Sequence, residues 1–209
     1  MATGGRLVHY RDMNSKFLCA LAGAALLGGC AAPAYVSPVQ VTRFVGQQDA
    51  FLAQGTIELV AAPGTRSDSL EYSFYQDAVR RELEQLGYRV VAQNGSQIAQ
   101  VSVQQTNAAP SERRGPVSVG MGGSTGSYGS GVGLGIGFDL SGPPPERIET
   151  TLAVTIRKPE GGQNLWEGRA GMTATTNSDF ASDSTAAARI ASALFAGFPG
   201  NSGETIEVE

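Results

Sequence analysis

Histidine occurs once in the 209 residues, at His9, and cysteine twice, at Cys19 and Cys30. Beyond Cys30 there is neither, so residues 31–209 hold no Cys/His zinc site, no Ser-His-Asp triad, no Cys-His pair and no disulfide between two of their own cysteines. Long apolar runs are missing too. The one candidate, Phe17 to Leu27, has 11 residues, whereas a helix needs about 20 to cross the hydrocarbon core of a bilayer. Positive charge is scarce: of 15 basic and 19 acidic residues, Arg6, Arg11, Lys16 and Asp12 lie ahead of Cys30, which leaves 12 basic and 18 acidic residues and a formal charge of −6 behind it. Nucleic acid is therefore not an expected partner. What remains, 41% hydrophobic and 16% charged, is the composition of one ordinary globular domain with a real core.

The short apolar run reads as an export signal, because Lys16 precedes it and Gly28-Gly29-Cys30 follows it. Leu27-Gly28-Gly29-Cys30 resembles the lipobox of bacterial lipoproteins, in which small residues admit the signal peptidase and the cysteine thiol takes a diacylglyceryl group. The resemblance implies a signal peptide over residues 1–29, cleavage between Gly29 and Cys30, and lipidation of Cys30. Each buried methylene is worth about 0.8 kcal/mol, so two or three acyl chains would hold the protein on a membrane. Met13-Asn14-Ser15-Lys16 has the form of such a signal's start, and residues 1–12 are read as following from a misplaced start codon. In that class of anchors an aspartate after the cysteine favours the inner membrane; here Ala31 stands there, and the expected place is the outer membrane, facing the periplasm.

Residues 30–38, with Pro33 and Pro38, read as a lipidated linker, and residues 39–209 as the folded domain. Val39, Val41 and Phe44-Val45 suggest an extended segment, and Gly55 to Val60 a strand. Ser67, Asp68 and Ser69 are N-cap candidates for a helix to about Leu86 that Gly87 stops. Its Tyr72, Tyr75, Val79, Leu83 and Leu86 fall on one face, with Arg80, Arg81, Glu82 and Glu84 on much of the rest as a solvated surface. Tyr88 to Ala92 is the next strand, and a strand-helix-strand unit of this length favours parallel pairing. After Asn94-Gly95, residues 98–105 alternate as a half-buried strand.

Residues 115–142 are dense in glycine, yet Val117, Val119 and Met121 alternate with serine and glycine, as do Val132, Leu134, Ile136 and Phe138 with glycine. The pattern predicts a β-hairpin with one apolar face, one nearly bare face and a tip at Tyr128. Its glycine spacing does not fit a dinucleotide-binding fingerprint, since position 138 is Phe where the third glycine belongs. Arg147 to Lys158 and Leu165 to Thr176 then form a second antiparallel hairpin around Pro159-Glu160-Gly161-Gly162. Ser182 to Ser184 can cap a helix whose Ala187, Ile190, Ala191, Leu194, Phe195 and Phe198 make one stripe, and Pro199-Gly200 leaves a polar tail. The expected fold class is α+β: a mixed, mostly antiparallel sheet with two amphipathic helices packed on one face.

Gln85-Leu86-Gly87-Tyr88, the glycine-rich middle, Leu165-Trp166-Glu167-Gly168 and Leu194-Phe195-Ala196-Gly197-Phe198-Pro199-Gly200, in that order, resemble the domain of unknown function 4136 family of bacterial lipoproteins over residues 39–208. The chain departs from the family's usual aromatic-rich first strand. The resemblance implies a lipoprotein domain and no particular activity.

Three features invite a functional reading, each with a plainer one beside it. The apolar face of the glycine-rich hairpin, or its tip at Tyr128, can contact a membrane or an envelope partner, or simply pack on the core. Trp166 can offer a flat face to a sugar or peptide, or seal a sheet edge. Glu149 and Glu167, with Glu146 and Glu160 nearby, can pair for glycosidic cleavage, which needs two carboxyls roughly 5 to 10 Å apart, or can be surface charge. The expectation is a non-catalytic envelope module, joined to the membrane through lipid on Cys30, that binds an envelope protein, lipid or cell-wall polymer and uses no metal or cofactor. The alternatives are a carboxylate-dependent periplasmic glycan hydrolase and a carrier of a small apolar ligand.

Overall fold

The computed structural model describes residues 32–108, 117–126, 129–138, 144–159, 162 and 164–209. Two compact units are present: Ala34–Arg113 with Pro145–Glu209 form a body, and Arg114–Pro144 belong to a second unit. Cys30, Gly29, Tyr128 and Glu160 lie outside the described residues.

In β1 (Val39–Val45) Val39, Val41 and Arg43 are buried while Gln40 and Phe44 are exposed, the period-2 signature of a strand with an inner and an outer face. β2 (Thr56–Ala61) leads into α1 (Leu70–Gln85). Of the three cap candidates Ser69 is the one used: its Oγ accepts the Tyr72 N–H at 3.1 Å, satisfying a donor the first helical turn leaves free. Tyr72, Tyr75, Ala78, Val79 and Leu83 are the buried residues of α1. The helix stops where the Gly87 N–H reaches Glu84 O and the Tyr88 N–H reaches Leu83 O, both at 3.1 Å. That paired ending needs a left-handed residue between, and Gly87 supplies it at φ +103°.

β3 (Arg89–Val91) and β4 (Gln97–Ala108) follow. The chain then enters the second unit, an antiparallel ribbon of β5 (Val117–Gly126) and β6 (Gly129–Phe138). Its register sets Val117, Val119 and Met121 opposite Phe138, Ile136 and Leu134, and Ser118, Gly120 and Gly122 opposite three glycines. Back in the body come β7 (Arg147–Arg157), β8 (Asn164–Thr175), α2 (Asp183–Phe195) and β9 (Glu204–Val208).

The body is an α+β fold with a seven-stranded mixed sheet in the order β3-β2-β4-β7-β8-β1-β9. β2 runs parallel to β3 and β4, and every other pairing is antiparallel. The strand-helix-strand expectation thus holds for β2, α1 and β3. Buried residues of the strands and of both helices belong to one hydrophobic cluster, with Ile57, Val79, Leu83, Ile156, Ile190 and Leu194 fully buried in it. The C-terminal segment is not a polar tail throughout. Residues 204–208 pair with β1 from Val39↔Val208 to Arg43↔Glu204, and Ile206 and Val208 are packed against the core. Two apolar residues at i and i+2 are a weak signal alone, and the free edge of β1 is what makes them a strand.

Candidate functional site

Residues 35–37 lie within the segment read as a linker, and they are hydrogen-bonded to the sheet. Val36 bridges Ala174, the Tyr35 N–H donates to Thr175 Oγ1 at 2.8 Å, and the Thr175 N–H returns a bond to Tyr35 O at 2.9 Å. One step on, the Ser37 N–H donates to Thr173 O and the Thr173 N–H to Ser37 Oγ, both at 2.9 Å. Residues 35–37 are therefore strapped along β8 ahead of β1. Thr175 pairs with Arg147, the first residue of β7, and Arg147 with Ala108, the last residue of β4. The Arg147 guanidinium sits 5.3 Å from the centre of the Tyr35 ring, a cation–π contact on a ring 46% exposed. One row of the sheet thus holds the entry of the N-terminal segment, the last residue of β4 and the first residue of β7.

Beside this row opens a polar cleft of about 590 Å³ between the N-terminal turn of α1 and the end of β4, lined among others by Arg66, Ser69, Tyr72, Gln104, Thr106 and Asn107. Gln105 Nε2 donates to Tyr75 Oη at 3.2 Å and to Asp183 Oδ1 at 2.8 Å, tying β4 to both helices. The Tyr72 hydroxyl is buried without a hydrogen-bond partner among the described residues, and burial raises its pKa. A smaller cleft of about 320 Å³ lies by Tyr35, Glu149, Thr173 and Glu207. A third, about 700 Å³, is lined by Phe51, Gln97, Lys158 and Leu165, at the other end of β4 and β7. Among the described residues no group of three or more His, Cys, Asp or Glu could hold a metal ion.

Trp166 is not a surface residue. It is 1% exposed, stacks on Phe195 at 5.4 Å, meets Phe198 at 5.1 Å and donates Nε1–H to Pro199 O at 2.9 Å. Nor does it seal an edge, since β8 lies inside the sheet between β7 and β1. The Leu194 to Gly200 turn folds over it, and an ideal Cβ on Gly168 would stand 2.2 Å from Trp166 Cη2, which is why glycine occupies that place.

Glu149 and Glu167 do share the outer face, as their alternation implies, but not a neighbourhood. Glu149 faces Thr173, and Glu167 faces Thr155, six residues further along β7. At about 3.3 Å per residue that is roughly 20 Å, twice the reach of a glycosidase pair. Glu146, exposed just before β7, is no nearer to Glu167.

Arg43 is a residue that the sequence reading passes over. It is 3% exposed; its Nε donates to Leu194 O at 3.1 Å and its Nη2 to Ala193 O at 3.1 Å and Ala196 O at 2.6 Å. They stand at the end of α2, where helical donors run out, and Ala193 O also accepts the Ala196 N–H at 3.3 Å. Desolvation lowers its pKa, and the charge of Glu204, its cross-strand neighbour, works the other way. The available signal was parity: position 43 continues the inward series of Val39 and Val41.

Among known proteins, the chain is 26% identical to the uncharacterized protein ZMO1243 of Zymomonas mobilis, covering 82% of this chain and 80% of that one. Among solved structures it is similar to a PDZ domain protein from Parabacteroides distasonis, with a TM-score of 0.49 and 11% identity over 92% of this chain; it spans only 42% of that protein. It is also similar to PelC from Paraburkholderia phytofirmans, solved as a dodecamer, with a TM-score of 0.40 and 12% identity over 78% of this chain and 99% of that one. Both scores are too low to carry an argument. The family described as Domain of unknown function (DUF4136) matches residues 47–200, most of the chain, and the protein belongs to that family.

Proposed function

We propose that this protein is a lipid-anchored envelope protein, cut ahead of Cys30 and acylated there, with its body facing the periplasm from the outer membrane as a non-catalytic binding module. The observation that carries the reading is the strap. With residues 35–37 hydrogen-bonded to β8, only residues 31–34 separate Cys30 from the fold. At no more than about 3.6 Å per residue the thioether lies within roughly 18 Å of Tyr35. So short a tether holds the strapped end of the sheet at the membrane surface and fixes the orientation of the body.

The two helices, in this reading, cover the sheet face that carries Val41, Val101, Leu152 and Val154, packing on it through their apolar stripes. The opposite face, with Gln40, Thr42, Gln100, Thr151, Thr155 and Arg169, stays open to solvent. Hydroxyls, amides and the Arg169 guanidinium stand there in cross-strand rows beside the carboxylates of Glu149 and Glu167, a surface for a neutral, hydroxyl-rich polymer such as cell-wall glycan. The separation of Glu149 and Glu167 weighs against the glycan-hydrolase alternative.

The test is intact and peptide mass spectrometry of the protein recovered from membranes of a Gram-negative host, beside a Cys30→Ser control. A mature N-terminus at Cys30 with acyl mass, absent in the control, is the expected result. An unprocessed or unlipidated chain would end the anchor reading.

A further inference from the structure

Between Gly115 and Phe138 the chain carries no charged residue, although Arg113, Arg114 and Asp139 flank that stretch closely. Within it stand two strands of ten residues each, β5 and β6. Strands of about 9 to 11 residues cross a bilayer when tilted, and membrane-spanning strands alternate between a lipid-facing and a lumen-facing residue. The register meets that requirement over the four alternate pairs from Val117↔Phe138 to Gly123↔Val132, and the next pair of that parity, toward the turn, is Thr125↔Ser130. Val117, Val119 and Met121 share the parity of Phe138, Ile136, Leu134 and Val132, while every opposing pair of the other parity is made of glycine and serine alone. A surface ribbon on a soluble domain would carry charges on its outer face; this one has none.

The position of the ribbon in the chain agrees. The Ala108↔Arg147 pair, the last of β4 with the first of β7 and so the strand ends nearest in the chain to the ribbon, is in the same row as Thr175 and Tyr35. On the anchor reading proposed above, on which this step rests, that row is the end nearest the membrane. A single two-stranded ribbon cannot cross alone, because its outer edges would leave N–H and C=O groups unpaired in hydrocarbon at several kcal/mol each. Only edge-to-edge pairing with other copies removes them.

We infer that the β5–β6 ribbons of several copies insert into the bilayer and close into a membrane-spanning β-barrel, the apolar parity toward lipid and the glycine-serine parity toward a lumen. The smallest such barrels have about eight strands, hence about four copies or more.

The experiment uses the full chain, produced in a Gram-negative host, purified in mild detergent and reconstituted into phosphatidylethanolamine and phosphatidylglycerol vesicles. Single cysteines at Val119, Leu134, Ile136, Gly120 and Gly135 carry an environment-sensitive fluorophore, and spin-labelled lipid is the quencher. Mass spectrometry reads Cys30 in the same samples. The expected result is quenching roughly twofold or more stronger at 119, 134 and 136 than at 120 and 135, in an oligomer that resists dodecyl sulfate, with Ile136→Lys abolishing both. Acylated protein without the alternation overturns the barrel and leaves the anchor standing. Alternation in protein without acyl groups overturns the anchor and leaves the barrel. Alternation in a monomer overturns the closure into a barrel.

Discussion

Replacing Arg43 with methionine removes the guanidinium while keeping most of the side-chain volume, and the structure sets the expected loss. Three carbonyls lose their donor. Ala196 is exposed and can turn to water, and Ala193 O keeps the Ala196 N–H at 3.3 Å, whereas Leu194 is 0% exposed and its carbonyl is left dry and without a donor. A buried polar group left unpaired costs about 1 to 3 kcal/mol, which falls on Leu194 O, and the lost charge-assisted bond to Ala193 O adds a smaller amount, so the expected loss is about 3 kcal/mol. A loss of about 3 kcal/mol is a large fraction of the 5 to 15 kcal/mol typical of a domain and lowers Tm by roughly 6 to 12 °C at this size. The assay is urea unfolding of the protein followed by Trp166 fluorescence; the chain has one tryptophan, and it stacks on Phe195 at the end of α2. Arg43→Lys should fall between, since an ammonium keeps the charge but not the fork that reaches three acceptors. Gly200→Ala sharpens the test: its Cβ would stand 2.9 Å from Arg43 Cδ at φ +76°. In an Arg43→Ala background the clash disappears and only the backbone strain remains, so the two changes should couple by about 1 kcal/mol. Strict additivity, or an Arg43→Met variant within about 0.5 kcal/mol of the parent, would refute the capping role.

Gly168→Ala should cost at least about 3 kcal/mol, because a methyl there meets Trp166 and Leu194 Cδ1 at 2.2 and 2.8 Å; a Tm unchanged in calorimetry would contradict the packing. Tyr72→Phe, which deletes a buried hydroxyl with no partner, should be neutral or stabilise by about 1 kcal/mol, and a clear loss in urea unfolding would mean that the hydroxyl is bonded. Burial pushes the pKa of Tyr88 up to about 12 against a backbone hydrogen bond from Ala53. A raised folded pKa means full stability below the ordinary tyrosine value near 10 and loss as pH climbs toward 12. Alkaline unfolding should therefore set in between those values and shift upward in Tyr88→Phe once that variant's lost bond to Gln97 is allowed for; identical alkaline midpoints would count against it.

Local features were legible and long-range ones were not. The cap at Ser69, the stop at Gly87 and the alternation of β7 and β8 each depend on residues within one turn or one strand, so the sequence carries them directly. Trp166 shows the limit. Its place in a strand was readable, but its burial depends on the turn from Leu194 to Gly200 folding back over it, and no local pattern states that a segment some thirty residues away will do so. Glu149 and Glu167 show a second limit: parity put them on one face, while their distance depends on the register set by the connection around Gly162. β9 and the strap at Tyr35–Ser37 exist only because β1 and β8 offer unpaired backbone, which is a property of the assembled sheet.

Placing those late-found segments together gives the reading its direction. β9 covers one edge of β1 and Arg43, and the strap covers the end of β8, so both ends of the described chain are used to finish the sheet. A linker meant to let the body roam would leave residues 35–37 free. Hydrogen-bonding them at 2.8 to 2.9 Å instead gives up several residues of reach and the conformational freedom that goes with them, about 1 to 2 kcal/mol per residue. That cost is reasonable where a fixed orientation matters. If Cys30 is the anchor, as proposed, the tether is residues 31–34, the row through Tyr35, Thr175, Arg147 and Ala108 would face the anchoring surface, and the cleft by Phe51 and Lys158, about ten residues or 33 Å along β7 from that row, would face away from it. On that proposal, a partner would meet the far end or the open hydroxyl-rich face of the body.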